Sequence, residues 1–281
     1  MSDIFITDLD HTFLRSNQSI SSYSQKIWNA KAHNHILSIA TARSYSASMK
    51  FLSNLHLKAP LIVLDGAMVV TPHQEIIDIK YIPKELAKSV IELSYLAHIV
   101  PFVIGLEEGF GEKFYYSDGL NSYQHEVLTN YLHDPRLCYQ KRLKAMKRTL
   151  KIVYFGSKIE LSNLCETLQK AFGEALEYKL SPEKYNDGYI LTLLHPNADK
   201  SHALKIVSEY IQRDVSDFSV FGDSLNDIGM FKLAGRSIAV QNALDEVKAH
   251  ADIILPHTND EDAVAKFLEQ TSNPTTPMEK P

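Results

Sequence analysis

The stretch Ile4-Phe5-Ile6-Thr7-Asp8-Leu9-Asp10-His11-Thr12 decides the reading of the chain. Its first four residues are β-prone and uncharged, as a short buried strand requires, and the run breaks at two aspartates one residue apart. On an extended backbone those carboxylates would point to opposite faces of a sheet. If the chain curls just past the strand, both can line one crevice. Such a pair suits a chemistry that needs one carboxylate as nucleophile and a second as proton donor. A strand that runs into an acidic loop is common, so the weight of this reading comes from the rest of the chain.

Outward from this strand the same grammar repeats. Strand-like runs are expected at Ile36–Ala40 and Leu61–Leu64, and late in the chain at Ser219–Phe221, Ser237–Val240 and Ile253–Leu255. Between the first two runs, Ser22-Tyr23-Ser24-Gln25 fits a capping box, and Ile27 and Ala30 continue an apolar helical face. Met49, Leu52 and Leu55 recur at helical spacing after the second run. Apolar strands separated by helices indicate a parallel sheet covered on both faces, which binds ligands beyond the carboxyl ends of its strands. Asp8, Thr41 and Asp223 all fall at those ends.

The middle of the chain reads differently. Pro83 opens a helix carrying Leu86, Val90, Leu93 and Leu96. Strands are expected at Ile99–Leu106, Lys113–Tyr116, Lys151–Phe155 and Tyr189–Leu193, and helices around Gln124–Leu132 and Ile159–Phe172. Hairpin signals stand at Glu107-Glu108-Gly109 and Asn186-Asp187-Gly188. The expected organisation is an α/β core made of residues 1–81 and 194–270, an inserted α+β cap domain at 82–193 lying over the active crevice, and a disordered tail at 271–281.

Composition narrows the classes. With 281 residues and 44% hydrophobic content the chain can bury a sizeable core, and two domains are comfortable. Twenty-nine basic against 34 acidic residues leave a net charge of −5, which disfavours a nucleic-acid partner. No run of 18 apolar residues occurs, and the N-terminus lacks a basic stretch followed by an apolar core, so neither a membrane span nor a signal peptide is expected. The two cysteines, Cys138 and Cys165, have no metal-type spacing, and a cytoplasmic location is the simplest expectation. Nothing in the sequence marks a self-complementary surface that would set an oligomeric state.

Three further segments follow the opening one in fixed order: Ile36-Leu37-Ser38-Ile39-Ala40-Thr41-Ala42-Arg43, Asn197-Ala198-Asp199-Lys200-Ser201-His202, and Val220-Phe221-Gly222-Asp223-Ser224-Leu225-Asn226-Asp227. Taken singly each has an ordinary explanation. Thr41 reads as a strand-end threonine, Lys200 as a surface lysine at a helix start, and Asp223 and Asp227 as helix caps. In this order the four segments resemble the four motifs of the haloacid dehalogenase-like (HAD) phosphohydrolases, and most closely the Cof-like, subfamily IIB branch with its cap between the second and third motifs. The resemblance runs from about Ser2 to Leu268. It implies a doubly wound, Rossmann-like parallel core with an inserted α+β cap.

It also implies a chemistry: Mg²⁺-dependent hydrolysis of small phosphate monoesters, such as sugar phosphates, phosphoglycerate-linked sugars or cofactor phosphates. Asp8 would attack phosphorus to give an aspartyl-phosphate, and Asp10 would act as acid and then base. Mg²⁺ would take Asp8, the backbone carbonyl of Asp10, Asp223 and, either directly or from behind the ligands, Asp227. Lys200, Thr41 and Asn226 would hold phosphoryl oxygens. Two rivals share the scaffold. A phosphotransferase such as a phosphohexomutase would want cap arginines, of which only Arg136, Arg142 and Arg148 are available; a non-catalytic phosphometabolite-binding protein would bind without turnover.

The chain departs from the family pattern at three places. His11 stands where glycine is usual, Ala42 replaces the glycine of Thr-Gly-Arg, and Ser201 follows Lys200. A non-glycine residue restricts φ, although histidine is among those tolerated at positive φ. Arg43 reads as structural rather than catalytic. Asp65-Gly66-Ala67 matches an Asn-Gly-Ala turn in Cof-like relatives, with Gly66 serving the backbone and Asp65 able to face the cavity. His33-Asn34-His35 reads as a polar helix end and His195 as structural. The cap residues Tyr115, Tyr116, Lys184, Tyr185 and Asn186-Asp187-Gly188 are weaker candidates for substrate contact.

Overall fold

The computed structural model describes residues 3–183 and 188–271. The chain opens with β1 (Ile4–Thr7), α1 (Ser22–Lys31), β2 (Ile36–Ile39), α2 (Tyr45–Leu52), β3 (Leu61–Val63), β4 (Met68–Val70) and β5 (Ile76–Ile79). The middle follows with α3 (Lys84–Leu96), β6 (Phe102–Leu106), β7 (Glu112–Tyr116), α4 (Ser122–Thr129), β8 (Leu137–Tyr139), β9 (Arg148–Gly156), α5 (Lys158–Phe172), β10 (Glu177–Pro182) and β11 (Tyr189–Leu194). It ends with α6 (Lys200–Ile211), β12 (Phe218–Gly222), α7 (Ile228–Phe231), β13 (Arg236–Ala239), α8 (Asp245–Lys248), β14 (Ile253–Ile254) and α9 (Ala263–Gln270). The chain divides into two compact units, Met1–Ile79 with Asp199–Pro281, and Lys80–Ala198.

In the first unit a five-stranded sheet has the order β14-β13-β12-β1-β2, parallel throughout. Strand β1, between β12 and β2, is buried along its whole length, and its alternate residues serve opposite faces. Phe5 points to one side, where it meets Phe221 and Phe267 of α9 at ring distances of 6.3 and 6.4 Å. Ile4, Ile6 and Val220 point to the other side and are equally buried. Burying each such side chain stabilises the fold by roughly 1.5–3 kcal/mol, which is why both faces of this sheet carry apolar residues. A bridge between Ala40 and Ile62 carries the chain from β2 toward the antiparallel sheet β3-β4-β5.

The starts of α1, α2 and α6 are capped by the short polar side chains of Ser21, Ser44 and Asp199. Ser21 accepts the Ser24 N–H at the start of α1, one residue before the box expected at Ser22-Gln25, because Ser21 is the last residue with extended φ/ψ. His35, expected at a polar helix end, is instead buried with its ring edge-on to Phe5 at 5.6 Å.

The second unit is built on a six-stranded sheet of order β10-β11-β9-β6-β7-β8, antiparallel except for β7 with β8. Ile152, Tyr154, Leu191 and Leu193 from the sheet pack with Val90, Leu161, Leu164 and Leu168 from α3 and α5. The buried Tyr154 hydroxyl is satisfied by Ser94 at 2.6 Å. Gly109, at φ 55°, turns the β6–β7 hairpin where Glu107-Glu108-Gly109 predicts one. The hairpin signal at Asn186-Asp187 and the tail expected beyond residue 271 lie outside the described residues. Among the described residues no helix is long and apolar enough to cross a membrane.

Candidate active site

Asp8 caps the carboxyl end of β1, its N–H still bound to Phe221 O at 3.0 Å, and its carboxylate is buried. Asp223 ends the neighbouring β12, and Asp227 returns under it on the following turn. Asp227 Oδ2 accepts the N–H groups of Asp223 and Ser224, both at 3.0 Å. The tight return needs Gly222, where a Cβ would stand 2.5 Å from Asp227 Cβ. Asp227 is thus both a cap and a member of the acidic cluster. Oxygens of Asp8, Asp223 and Asp227 all lie within 4.8 Å of one another.

Lys200 reaches this cluster from the first turn of α6. Its Nζ is fully buried and donates to Asp8 Oδ1 at 2.6 Å and to Asp227 Oδ1 at 2.7 Å. A helix start disfavours a cation, but Asp199 supplies the N-cap, accepting the N–H groups of Ser201 and His202 at 2.8 and 3.0 Å. Burial alone would lower the Lys200 pKa; Asp227 and Asp8 outweigh it and hold the ammonium above the ordinary lysine range.

The acids show the opposite strain. Burial raises the Asp8 pKa well above the usual carboxylate range, with Lys200 opposing and Asp227 and Asp223 adding to the rise. Asp227 is raised for the same leading reason. Fully ionised, the state a bound cation would favour, the three carboxylates and one ammonium of this buried cluster carry a formal charge of −2. These are hard oxygen donors with surplus negative charge, which fits a divalent cation of the Mg²⁺ type.

Around the cluster, loops from four strand ends are tied together. Thr12 donates to Asp223 Oδ1 at 3.1 Å. His11 takes φ 58°, the left-handed conformation glycine usually supplies, and the turn lets Asn242 Nδ2 bind its carbonyl at 2.8 Å. Thr41 is fully buried, its N–H on Ile62 O at 2.8 Å, and its Oγ accepts the Arg43 N–H at 3.1 Å, leaving the hydroxyl proton to be donated. Asp65 stands on a turn of three consecutive positive-φ residues, Leu64, Asp65 and Gly66. Asn226 Nδ2 donates to Asp65 Oδ1 at 2.9 Å, a pairing across 161 residues that no local pattern marks.

Asp10 is paired differently from the other acids. Its side chain is not part of the Asp8–Asp223–Asp227 cluster, and both its oxygens are gripped by Arg43: Nε to Oδ2 at 2.8 Å and Nη2 to Oδ1 at 2.6 Å. The order and composition of these strand ends are those of one enzyme family, and the sequence profile described as haloacid dehalogenase-like hydrolase matches residues 5–268.

The chain belongs to the haloacid dehalogenase-like hydrolases.

This hydrolase is similar along its length to the 5-amino-6-(5-phospho-D-ribitylamino)uracil phosphatase YitU of Bacillus subtilis, at 24% identity over 94% of this chain and 95% of the relative. Among solved structures, TM0651 from Thermotoga maritima superposes with a TM-score of 0.78 at 25% identity, covering 97% of this chain and 98% of that one. The sugar phosphatase BT4131, described as a subclass IIB member, shares the fold with a TM-score of 0.73 at 18% identity over 95% and 98% of the two chains. The other weak candidates of the hydrolase read as structural. His195 Nδ1 accepts the Asn197 N–H at 3.0 Å in a turn, and Tyr115 donates to Glu107 at 2.7 Å within the second unit. Lys184 and Tyr185 lie outside the described residues.

Proposed function

We propose that this hydrolase cleaves small-molecule phosphate monoesters with Mg²⁺ through an aspartyl-phosphate on Asp8. The observation that carries the reading is the buried Asp8 carboxylate, 2.6 Å from Lys200 Nζ and inside an acidic cluster with surplus negative charge. An anionic nucleophile meets an anionic phosphoryl group only where cations offset the repulsion. Asp8, Asp223 and the backbone carbonyl of Asp10 would hold Mg²⁺. Asp227, with Oδ1 on Lys200 and Oδ2 on two backbone N–H groups, serves from behind. When bound, the cation neutralises charge on the phosphoryl oxygens.

The protein's own groups do the rest. An Asp8 oxygen forms the new bond to phosphorus as the bond to the leaving oxygen breaks, and Asp10 gives that oxygen its proton. Water then attacks the aspartyl-phosphate, Asp10 takes its proton, and phosphate leaves with Asp8 restored. Thr41, Lys200 and Asn226 hold the non-bridging oxygens. We read the unit Lys80–Ala198 as the inserted cap domain, and a cytoplasmic location fits the two free cysteines. The likeness to YitU, named for a ribityl phosphate substrate, puts phosphorylated sugars and sugar alcohols at the head of the candidate substrates.

The mutase rival loses ground to what its arginines touch. Arg136 is tied to Asp134 at 2.7 Å and to Glu112 at 3.3 Å, Arg148 donates to Gly109 O, and Arg142 sits over the Tyr95 ring. The test is phosphate release from a panel of sugar, ribityl and cofactor phosphates, with Mg²⁺ and with chelator, for parent and Asp8→Asn. Metal-dependent release that collapses in Asp8→Asn is expected. Binding of Mg²⁺ and of a panel member without any release would overturn the hydrolase reading.

A further inference from the structure

We infer that Arg43 is the positioning residue for Asp10: it aims the proton-transfer carboxylate, and the reaction loses its general acid and base when that grip is removed. The inference rests on the reading of Asp10 as acid and base. Asp10 follows the end of β1 on a turn that includes the left-handed His11, and its side chain is 25% exposed. A carboxylate on such a loop has several rotamers open to it. The Arg43 guanidinium removes that freedom by binding both oxygens at once, at 2.8 and 2.6 Å, a planar fork that lysine cannot reproduce.

The fork is itself fixed from several sides. Its guanidinium carbon lies 4.7 Å from the centre of the Phe51 ring, and Nη2 also donates to Gln18 Oε1 at 3.1 Å. The Arg43 backbone is held by the Thr41 hydroxyl at 3.1 Å and by the Leu64 N–H at 2.8 Å. Asp10 is therefore registered to the loop that carries Thr41, a proposed phosphate-holding residue, rather than to its own flexible turn. One oxygen has to leave the fork for each proton transfer, while the other stays anchored.

This role has a kinetic signature. The value of kcat/KM reports steps up to release of the leaving group, where only a poor leaving group needs a proton. The value of kcat with a good leaving group is set by hydrolysis of the aspartyl-phosphate, where Asp10 is needed as base. The experiment measures both constants with Mg²⁺ on p-nitrophenyl phosphate and on an alkyl phosphate, for parent, Arg43→Ala, Arg43→Lys and Asp10→Asn.

For Arg43→Ala, kcat/KM on the alkyl phosphate should fall about 10²-fold, within the range of a lost general acid. On p-nitrophenyl phosphate kcat/KM should stay near the parent value while kcat and KM fall together. Arg43→Lys should recover part of the loss, and it carries the test if the alanine variant does not fold. An equal fall in kcat/KM on both substrates, or no fall on either, would overturn the positioning role. If Asp10→Asn itself shows no selective loss on the alkyl phosphate, the assignment of Asp10 fails, and the inference fails with it. If instead Asp10→Asn behaves as expected and the Arg43 variants do not, only the inference fails.

Discussion

Lys200 Nζ lies 2.6 Å from Asp8 Oδ1, in a site where the lysine side chain is wholly inaccessible to solvent. The same nitrogen meets Asp227 at 2.7 Å, so one ammonium supports two buried carboxylates. Removing it strands both. Lys200→Met is expected to lower unfolding free energy by about 3–5 kcal/mol, the cost of breaking a buried ion pair from one side. Combining it with Asp227→Asn should cost less than the two changes summed, because a neutral amide needs no counter-charge. Denaturant unfolding of the four proteins checks both statements.

Asp223→Asn tests the proposed metal site. A cation that binds only the folded state at 100 times its Kd raises stability by about 2.7 kcal/mol. Mg²⁺ is expected to raise the unfolding temperature of the parent and to do so much less in Asp223→Asn. A calorimetric scan with Mg²⁺ and with chelator reads this without any substrate.

Gly66 explains why the third strand end is built as it is. Its φ is +95°, and an added Cβ would stand 2.2 Å from the Asp199 carbonyl oxygen, one residue before Lys200. Gly66→Ala is expected to cost about 1–3 kcal/mol, as overpacking does. It should also lower kcat more than an equally destabilising core change elsewhere, because the carbonyl that must move is bonded to Lys200. Thermal unfolding together with kcat separates the two effects.

The cap of α6 makes stability depend on acid. Burial pushes the Asp199 pKa up, but hydrogen bonds from Ser201 and His202 outweigh it and leave the folded-state pKa below the ordinary value. The contribution is therefore complete above the unfolded-state pKa of about 4 and is lost as pH falls through the lower folded-state pKa. Asp199→Ala should cost about 1 kcal/mol at pH 7, and the gap between variant and parent should narrow as the solution is acidified below pH of about 4. Unfolding midpoints at both pH values give the comparison.

Much of the fold was legible because its strands are buried on both faces. Ile4–Thr7, Ile36–Ala40 and Ser219–Phe221 read as apolar runs, and the structure places strands there within a residue or so. Four of the described strands carry no such signal: β4 is only the three buried residues Met68–Val70, and β5, β8 and β10 are half-buried edge strands, of which Glu177-Tyr178-Lys179-Leu180-Ser181-Pro182 mixes polar residues in as a loop would. Asp8, Thr41, Lys200 and Asp223 stood out because each ends a run or opens a helix. Their pairings did not stand out. Asp10 finds Arg43 from 33 residues away, and Asp65 finds Asn226 from 161 away. No local pattern encodes which oxygen a distant side chain will take. His35 was misread for a similar reason: only the packing of Phe5 reveals that its ring is buried.

The proposed acceptor of the phosphoryl group is the Asp8 carboxylate. The measurement is a rapid acid quench of the hydrolase turning over a ³²P-labelled monoester with Mg²⁺, followed by peptide mapping. Label is expected on the peptide containing Asp8, formed no more slowly than turnover, absent in Asp8→Asn and discharged by water in a chase. Phosphate release that proceeds at full rate with no labelled Asp8, or with the label on another residue, would contradict it.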